Sequence, residues 1–168
     1  GMATTPAMFM SIVFPATQFH GSAMITASHL PFNRNGIKFF DADGGLEHDD
    51  ITEILKLAGM LNPQHVNYFP EPVDLLTLYA DHLREAIIQG INSDSDKPLE
   101  GLKIVVDSGN GASGFFVDKI LKPLGADTTG SQFLEPDGMF PNHIPNPENK
   151  QAMEAIRNAV LNNKADLG

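Results

Sequence analysis

Cysteine is absent from the 168 residues, and cations are scarce: 11 Lys and Arg stand against 21 Asp and Glu, a formal charge of −10. The missing thiols exclude disulfides, Cys-ligated zinc and thiol catalysis, and leave the redox compartment open. So few basic residues speak against nonspecific nucleic-acid binding, which depends on Lys and Arg neutralising phosphates. No apolar run approaches the roughly 20 residues of a membrane span. Neither nucleic acid nor membrane is therefore an expected partner. Met2 to Val13 lacks the basic start and small-residue cleavage site of a signal peptide, and a cytoplasmic location is expected. What is present is globular composition, 42% hydrophobic and 19% charged, too apolar for a disordered chain. The length suits one ordinary domain or two small ones. Gly1 before Met2 reads as a tag scar, and Lys164 to Gly168 reads as the opening of a strand. A fragment of something larger is expected.

Thr5-Pro6 reads as a helix start, with a capping hydroxyl before a first-turn proline. The helix should cover Ala7 to Val13, stop before Pro15 and be buried on most sides, since its apolar residues run all round. Ser22 to Ala27 reads as a strand, Asn35-Gly36 as a turn and Ile37 to Phe40 as the next strand. Ile51, Ile54, Leu55, Ala58 and Leu61 follow helical spacing behind the acidic Glu47, Asp49 and Asp50. A longer helix should span about Pro72 to Gln89, with Gly90 as its stop. Asn92 to Pro98 is polar and turn-rich, the best linker candidate. Beyond it the pattern restarts: a strand at Leu102 to Asp107, a helix at Ser113 to Leu124 ended by Gly125, and a strand at Thr128 to Leu134. A long loop with four prolines follows at Glu135 to Pro147, then a helix at Glu148 to Asn162 with Met153, Ile156, Val160 and Leu161 inward. This order predicts an α/β fold with mixed β-sheets flanked by helices.

One string concentrates chemistry. Thr26-Ala27-Ser28-His29-Leu30-Pro31 delivers a serine and a histidine from a strand into a loop, and Asn33-Arg34-Asn35-Gly36-Ile37-Lys38 returns with two cations. A serine that accepts or carries a phosphoryl group must be exposed and surrounded by charge compensation. His29, Arg34 and Lys38 supply it, and Pro31 stiffens the loop. An isolated Ser-His pair would read more simply as polar surface; the whole string is what points to a site.

That string closely resembles the active-site serine motif of the α-D-phosphohexomutases, the phosphomannomutase and phosphoglucomutase superfamily. Its usual form is Thr-Ala-Ser-His-Asn-Pro followed by Asn-Gly-x-Lys, and Leu30 here stands where that form has Asn. Ala3 to Ala7 resembles the segment before the serine loop, and Leu102 to Gly114 the start of the second domain. Asp137 to Glu148 resembles that domain's Phe-Pro…Pro-Asn-Pro-Glu loop. The resemblance implies that residues 2–91 are the C-terminal part of domain I, 92–98 a linker and 99–168 a truncated domain II. It implies that Ser28 carries the phosphoryl group, with His29 beside it and Lys38 as charge stabiliser or general acid or base. Arg34 is a candidate substrate-binding residue. Phospho-Ser28 would donate one oxygen to Mg²⁺, whose Asp-x-Asp-x-Asp-Arg ligand loop does not occur in these residues. The substrate implied is a hexose phosphate, interconverted between its 1- and 6-phosphates through a bisphosphorylated sugar.

Gly109-Asn110-Gly111-Ala112-Ser113-Gly114 is a literal Gly-x-Gly-x-x-Gly between an expected strand and helix, and Glu135 could serve as its ribose-binding acid. A nucleotide-binding Rossmann-like module is the rival reading, and glycines that merely make a tight turn are the simpler one. A noncatalytic domain that kept the mutase sequence is the third. His20, His48, His65, His82 and His143 show no metal-ligand spacing, and His143 suits a loop anchor. Self-association through the first half is expected, since an incomplete sheet leaves an edge open.

Overall fold

The computed structural model describes residues 1–62 and 69–168, so His65 lies outside the described residues. Helix α1 (Thr5–Val13) is capped by Thr4, whose Oγ1 accepts from the Ala7 N–H at 3.4 Å. The cap thus sits one residue before the expected Thr5. Pro6 permits the shift because N–H groups in a helix's first turn have no intrahelical partner. Phe14, extended before Pro15, ends the helix. Burial runs round most of the helix: Ala7 and Ser11 are buried and Met8, Phe9, Met10 and Ile12 half-buried, while Val13 is 52% exposed.

Strands β1 (Ser22–Ile25), β2 (Ile37–Asp41) and β3 (Gly44–Gly45) form an antiparallel sheet in that order, with Ser22 opposite Phe40 and Ile25 opposite Ile37. One face packs on α1: the Ser22 hydroxyl donates to Met8 O at 2.9 Å, and the Phe9 and Phe40 rings lie 6.1 Å apart. Alternation sends Ile25 and Ile37 to the other face, where they are 72% and 56% exposed. Helix α2 (His48–Met60) starts where the Asp50 carboxylate accepts from the Glu47 N–H at 3.0 Å. Ile51 and Ile54 are half-buried, but Leu55, Ala58 and Leu61 of the same stripe are exposed.

Helix α3 (Leu75–Ile91) runs through Gly90 and ends at Asn92, whose left-handed φ of 54° makes it the cap in place of the expected glycine. It serves both halves of the chain. Tyr79 packs with Ala7 and Phe14, while Ala80 packs with Leu99, Ile120, Leu124 and Ala126. The segment facing it is irregular: a 3-10 turn at Ala112–Gly114, then a π-helical turn at Val117–Leu121. Pro123 supplies a physical reason, for it has no N–H to offer the carbonyl of Lys119 four residues back. Arg84 of α3 donates to that carbonyl instead, at 2.6 Å.

The expected strands at 102–107 and 128–134 are not continuous ladders. Parallel bridges join Lys103 to Asp127, Asp107 to Gln132 and Ile104 to Leu167. Between the first two the chain turns at Thr128–Ser131, and the Val106 N–H bonds the Ser131 hydroxyl rather than a backbone carbonyl. Helix α4 (Lys150–Asn163) is capped by Asn149. Ala152 and Ala159 are its buried residues, with Ile156 and Val160 half-buried. Met153 and Leu161, expected inward, are 51% and 58% exposed. The fold is α/β, with antiparallel pairing in the first half and parallel pairing in the second.

Candidate active site

The serine loop grows from the end of β1. The Thr26 N–H donates to Gly36 O at 2.9 Å, one pair beyond the last strand residues. Ser28 then takes a left-handed backbone, φ 56°, and its N–H donates to Thr26 Oγ1 at 2.9 Å. Leu30 N–H to Ala27 O and Arg34 N–H to Pro31 O close two further turns. Every residue from Ser28 to Asn35 is exposed. Ser28 Oγ lies 3.3 Å from His29 Nδ1, so the two residues singled out in sequence are in direct contact. An imidazole there can accept the hydroxyl proton or donate to the oxygen, depending on its tautomer.

Among the described residues neither cation of the string hydrogen-bonds to this pair. Lys38 is exposed on β2, opposite Met24 and on the face shared by Ser22 and Phe40. Arg34 is exposed in the loop. Among the described residues neither enters an ion pair. Both remain able to meet an anion arriving from solvent.

The glycine-rich segment reads differently once its hydrogen bonds are traced. A pyrophosphate cradle needs free backbone N–H groups at a helix start. Here the Gly109 N–H goes to Asp107 Oδ1, the Asn110 N–H to Phe133 O and the Gly111 N–H to Ser108 O. The helix that should follow is a 3-10 turn and a π turn. Gly114 is glycine because a Cβ would collide with Leu134 O. Glu135 gives its carbonyl to the Asn110 amide while its side chain stays exposed. These bonds and the Gly114 contact favour a tight packing turn over a phosphate loop.

His143 proves to be an anchor with a partner that sequence reading did not name. Its Nε2 lies 3.0 and 3.1 Å from the two carboxylate oxygens of Asp107, and both side chains are 6% exposed. The only hint in the sequence is an aspartate ending an apolar run. The pair lies at one end of a cleft of about 550 Å³ walled by Ile104, Pro145, Met153, Ile156 and Leu167. Elsewhere His82 meets the Phe14 ring edge-on. Among the described residues no group of three or more His, Asp or Glu is placed to hold a metal, the run Glu47 to Asp50 included. Among them too, no helix is long and apolar enough to cross a membrane.

Comparison with known proteins covers both halves. The family described as phosphoglucomutase/phosphomannomutase, alpha/beta/alpha domain I, matches residues 1–60, and its domain II matches residues 77–168. A phosphoglucomutase of Neisseria gonorrhoeae is 31% identical over 100% of this chain and 34% of its own length. A probable phosphoglucosamine mutase of Methanopyrus kandleri is 37% identical over 86% of this chain and 31% of its own. A phosphomannomutase of Escherichia coli K12 is 34% identical over 88% of this chain and 33% of its own. The chain spans about a third of the length of the curated relatives it matches. With two consecutive domain matches and a serine loop of the expected form, the chain belongs to the phosphoglucomutase/phosphomannomutase family.

Proposed function

We propose that the chain supplies the phosphoserine portion of a phosphohexomutase, an isomerase that interconverts hexose 1- and 6-phosphates. The observation that carries this reading is Ser28, exposed at a left-handed turn with its Oγ 3.3 Å from His29 Nδ1. In the forward half-reaction a sugar hydroxyl oxygen attacks phosphorus. The P–Oγ bond breaks, the new P–O bond forms on the sugar, and the hydroxyl proton is passed to Ser28 Oγ. The bisphosphate then turns over and returns its other phosphoryl group to Ser28. Such transfer depends on positioning and charge neutralisation. In this reading His29 carries the proton, Lys38 offsets charge on the transferring group and Arg34 holds the substrate's second phosphate.

Mg²⁺ would take one oxygen from Ser28 or its phosphate and offset phosphoryl charge. The described residues bring no acidic cluster to that position, so this chain alone does not build the metal's cage and no step is derived through it. The charge of −10 repels a sugar phosphate at long range, and Arg34 and Lys38 must overcome it locally. Intact-mass analysis after incubation with glucose 1,6-bisphosphate and Mg²⁺ tests the reading. A single phosphate on Ser28, absent from Ser28→Ala, is expected; no adduct, or an adduct that persists in Ser28→Ala, overturns it.

A further inference from the structure

We infer that Thr26 is a positioning residue for Ser28: its hydroxyl oxygen holds the Ser28 N–H, and with it the left-handed backbone that presents Ser28 Oγ. The purpose of this device rests on the phosphoserine reading, but the geometry does not. A residue bearing a Cβ is disfavoured at a φ of 56°, and serine is not among the few that visit this region readily. Something must hold it there. Among the described residues, the bond from the Ser28 N–H to Thr26 Oγ1, at 2.9 Å, is the one side-chain hydrogen bond made to this backbone.

Thr26 is itself well fixed. Its N–H donates to Gly36 O at 2.9 Å, and Gly36 closes so tightly that an added Cβ would lie 2.9 Å from Thr26 O. The side chain is β-branched, which narrows its choice of χ1, and the residue is half-buried. Thr26 therefore transmits the rigidity of the β1–β2 pair to an otherwise exposed loop. The reversal at Ser28 turns the chain so that its hydroxyl and the His29 ring meet at 3.3 Å in open solvent. A backbone free to return to negative φ would disperse that pair. Preorganisation of this kind raises rate without adding a contact to substrate.

Two variants separate the hydroxyl from the shape of the side chain. Thr26→Val keeps the branch and removes the acceptor, and Thr26→Ser keeps the acceptor. Hydrogen exchange at the Ser28 amide reads the bond, and the rate of Ser28 phosphorylation by glucose 1,6-bisphosphate reads its purpose. We expect the Ser28 amide to be protected in the native chain. Thr26→Val should lose that protection and phosphorylate about fivefold more slowly, the factor of one ordinary hydrogen bond. Thr26→Ser should retain both, with an unchanged thermal midpoint in each variant. Thr26→Ala serves as a second hydroxyl-free variant if Val disturbs packing. Native-like protection and rate in Thr26→Val, or a Thr26→Ser as slow as Thr26→Val, overturns the proposal. If the native chain takes no phosphate, the phosphoserine reading falls, and the exchange pattern alone still decides whether Thr26 holds the turn.

Discussion

His143 and Asp107, 36 residues apart, meet as a buried pair: Nε2 donates to a carboxylate that also accepts the Gly109 N–H and the Gln132 side-chain amide. One carboxylate thereby ties three segments together: the turn after residue 107, the segment at Gln132 and the proline-rich loop. The His143 ring also stands edge-on to Phe133 and close against Gly109. Removing one partner of such a pair leaves a buried charge uncompensated, at about 3–5 kcal/mol. His143→Ala should therefore destabilise the second half by roughly the lower of these figures, because two donors to Asp107 remain. Denaturant unfolding measures it, and a loss below about 1 kcal/mol, the worth of an ordinary hydrogen bond, would reduce the pair to a minor contact.

Two glycines with opposite surroundings provide a paired test. A Cβ at Gly114 would strike Leu134 O, whereas at Gly138 it would meet nothing within 4 Å. Gly114→Ala is expected to lose about 1–3 kcal/mol by overpacking. Gly138→Ala, at a negative φ, should be neutral or slightly stabilising through the unfolded chain. Thermal midpoints of the two variants decide this, and equal shifts would show that the Gly114 approach is not rigid.

Acid titration should act on the start of α3. Hydrogen bonds from the Thr77 hydroxyl and N–H, and then the nearby Lys119 charge, hold the Asp74 carboxyl below its ordinary value. Its folded value being depressed, the stabilisation is complete above the unfolded value and is lost as pH falls through the folded one. The side chain is exposed, so the effect is small. Asp74→Asn keeps a capping oxygen and removes the titration. The difference in stability between the native chain and this variant should shrink as pH falls through the carboxylate range, and a constant difference would count against the cap's charge.

The readable parts of the sequence were those where one local pattern decides the outcome. Helices α1 to α4 follow apolar spacing and caps. The β1–β2 pair forms, but not by the expected Asn35-Gly36 turn: Gly36 pairs with Thr26, and the chain turns at Ala27–Leu30 and Pro31–Arg34. Their ends were displaced where two residues compete for one role: Thr4 with Thr5, and Gly90 with Asn92. The expected strands at 102–107 and 128–134 are reduced to isolated bridges because a side chain, Ser131, replaces a ladder bond. Ser28 and His29 were visible as neighbours in sequence. The role of Thr26 was not, since it depends on a backbone angle that no residue type announces. Asp107 and His143 were hidden for a different reason, as a contact between distant segments. The glycine fingerprint shows the converse: its spacing suits a phosphate loop, but the N–H groups of Gly109, Asn110 and Gly111 are already bonded.

Turnover by the isolated 168 residues should be negligible. The serine loop is present, but no acidic cluster stands beside it among the described residues. Loss of a single transition-state donor commonly lowers rate by about 10²–10³, and a missing metal cage removes more. A coupled assay on glucose 1-phosphate and mannose 1-phosphate with Mg²⁺ is expected to read background. A rate in the ordinary enzyme range of roughly 1–10³ per second would mean that the chain needs no further domain.

Self-association is expected through the outer edge of β1. The sheet order places β1 at one side. Since the Thr26 N–H points to Gly36 O, alternation turns the backbone groups of Ala23 and Ile25 away from β2. Nothing among the described residues pairs with them. Gly21 to Ala27 carries no charge, so the edge lacks the lysine or other charge that normally discourages pairing. Two copies can meet there antiparallel about a twofold axis, which closes the assembly as a dimer. Ile25 and Ile37, both exposed on the face away from α1, extend the contact. The overall charge opposes association, and this makes the test specific. Ile25→Lys lowers the net negative charge, so general repulsion would weaken and association would rise. If the edge is the interface, the same substitution should instead produce monomer. Sedimentation equilibrium at micromolar concentration should give twice the chain mass for the native protein and a single mass for Ile25→Lys. A monomeric native chain, or a variant that associates more strongly, would rule out the edge as the interface.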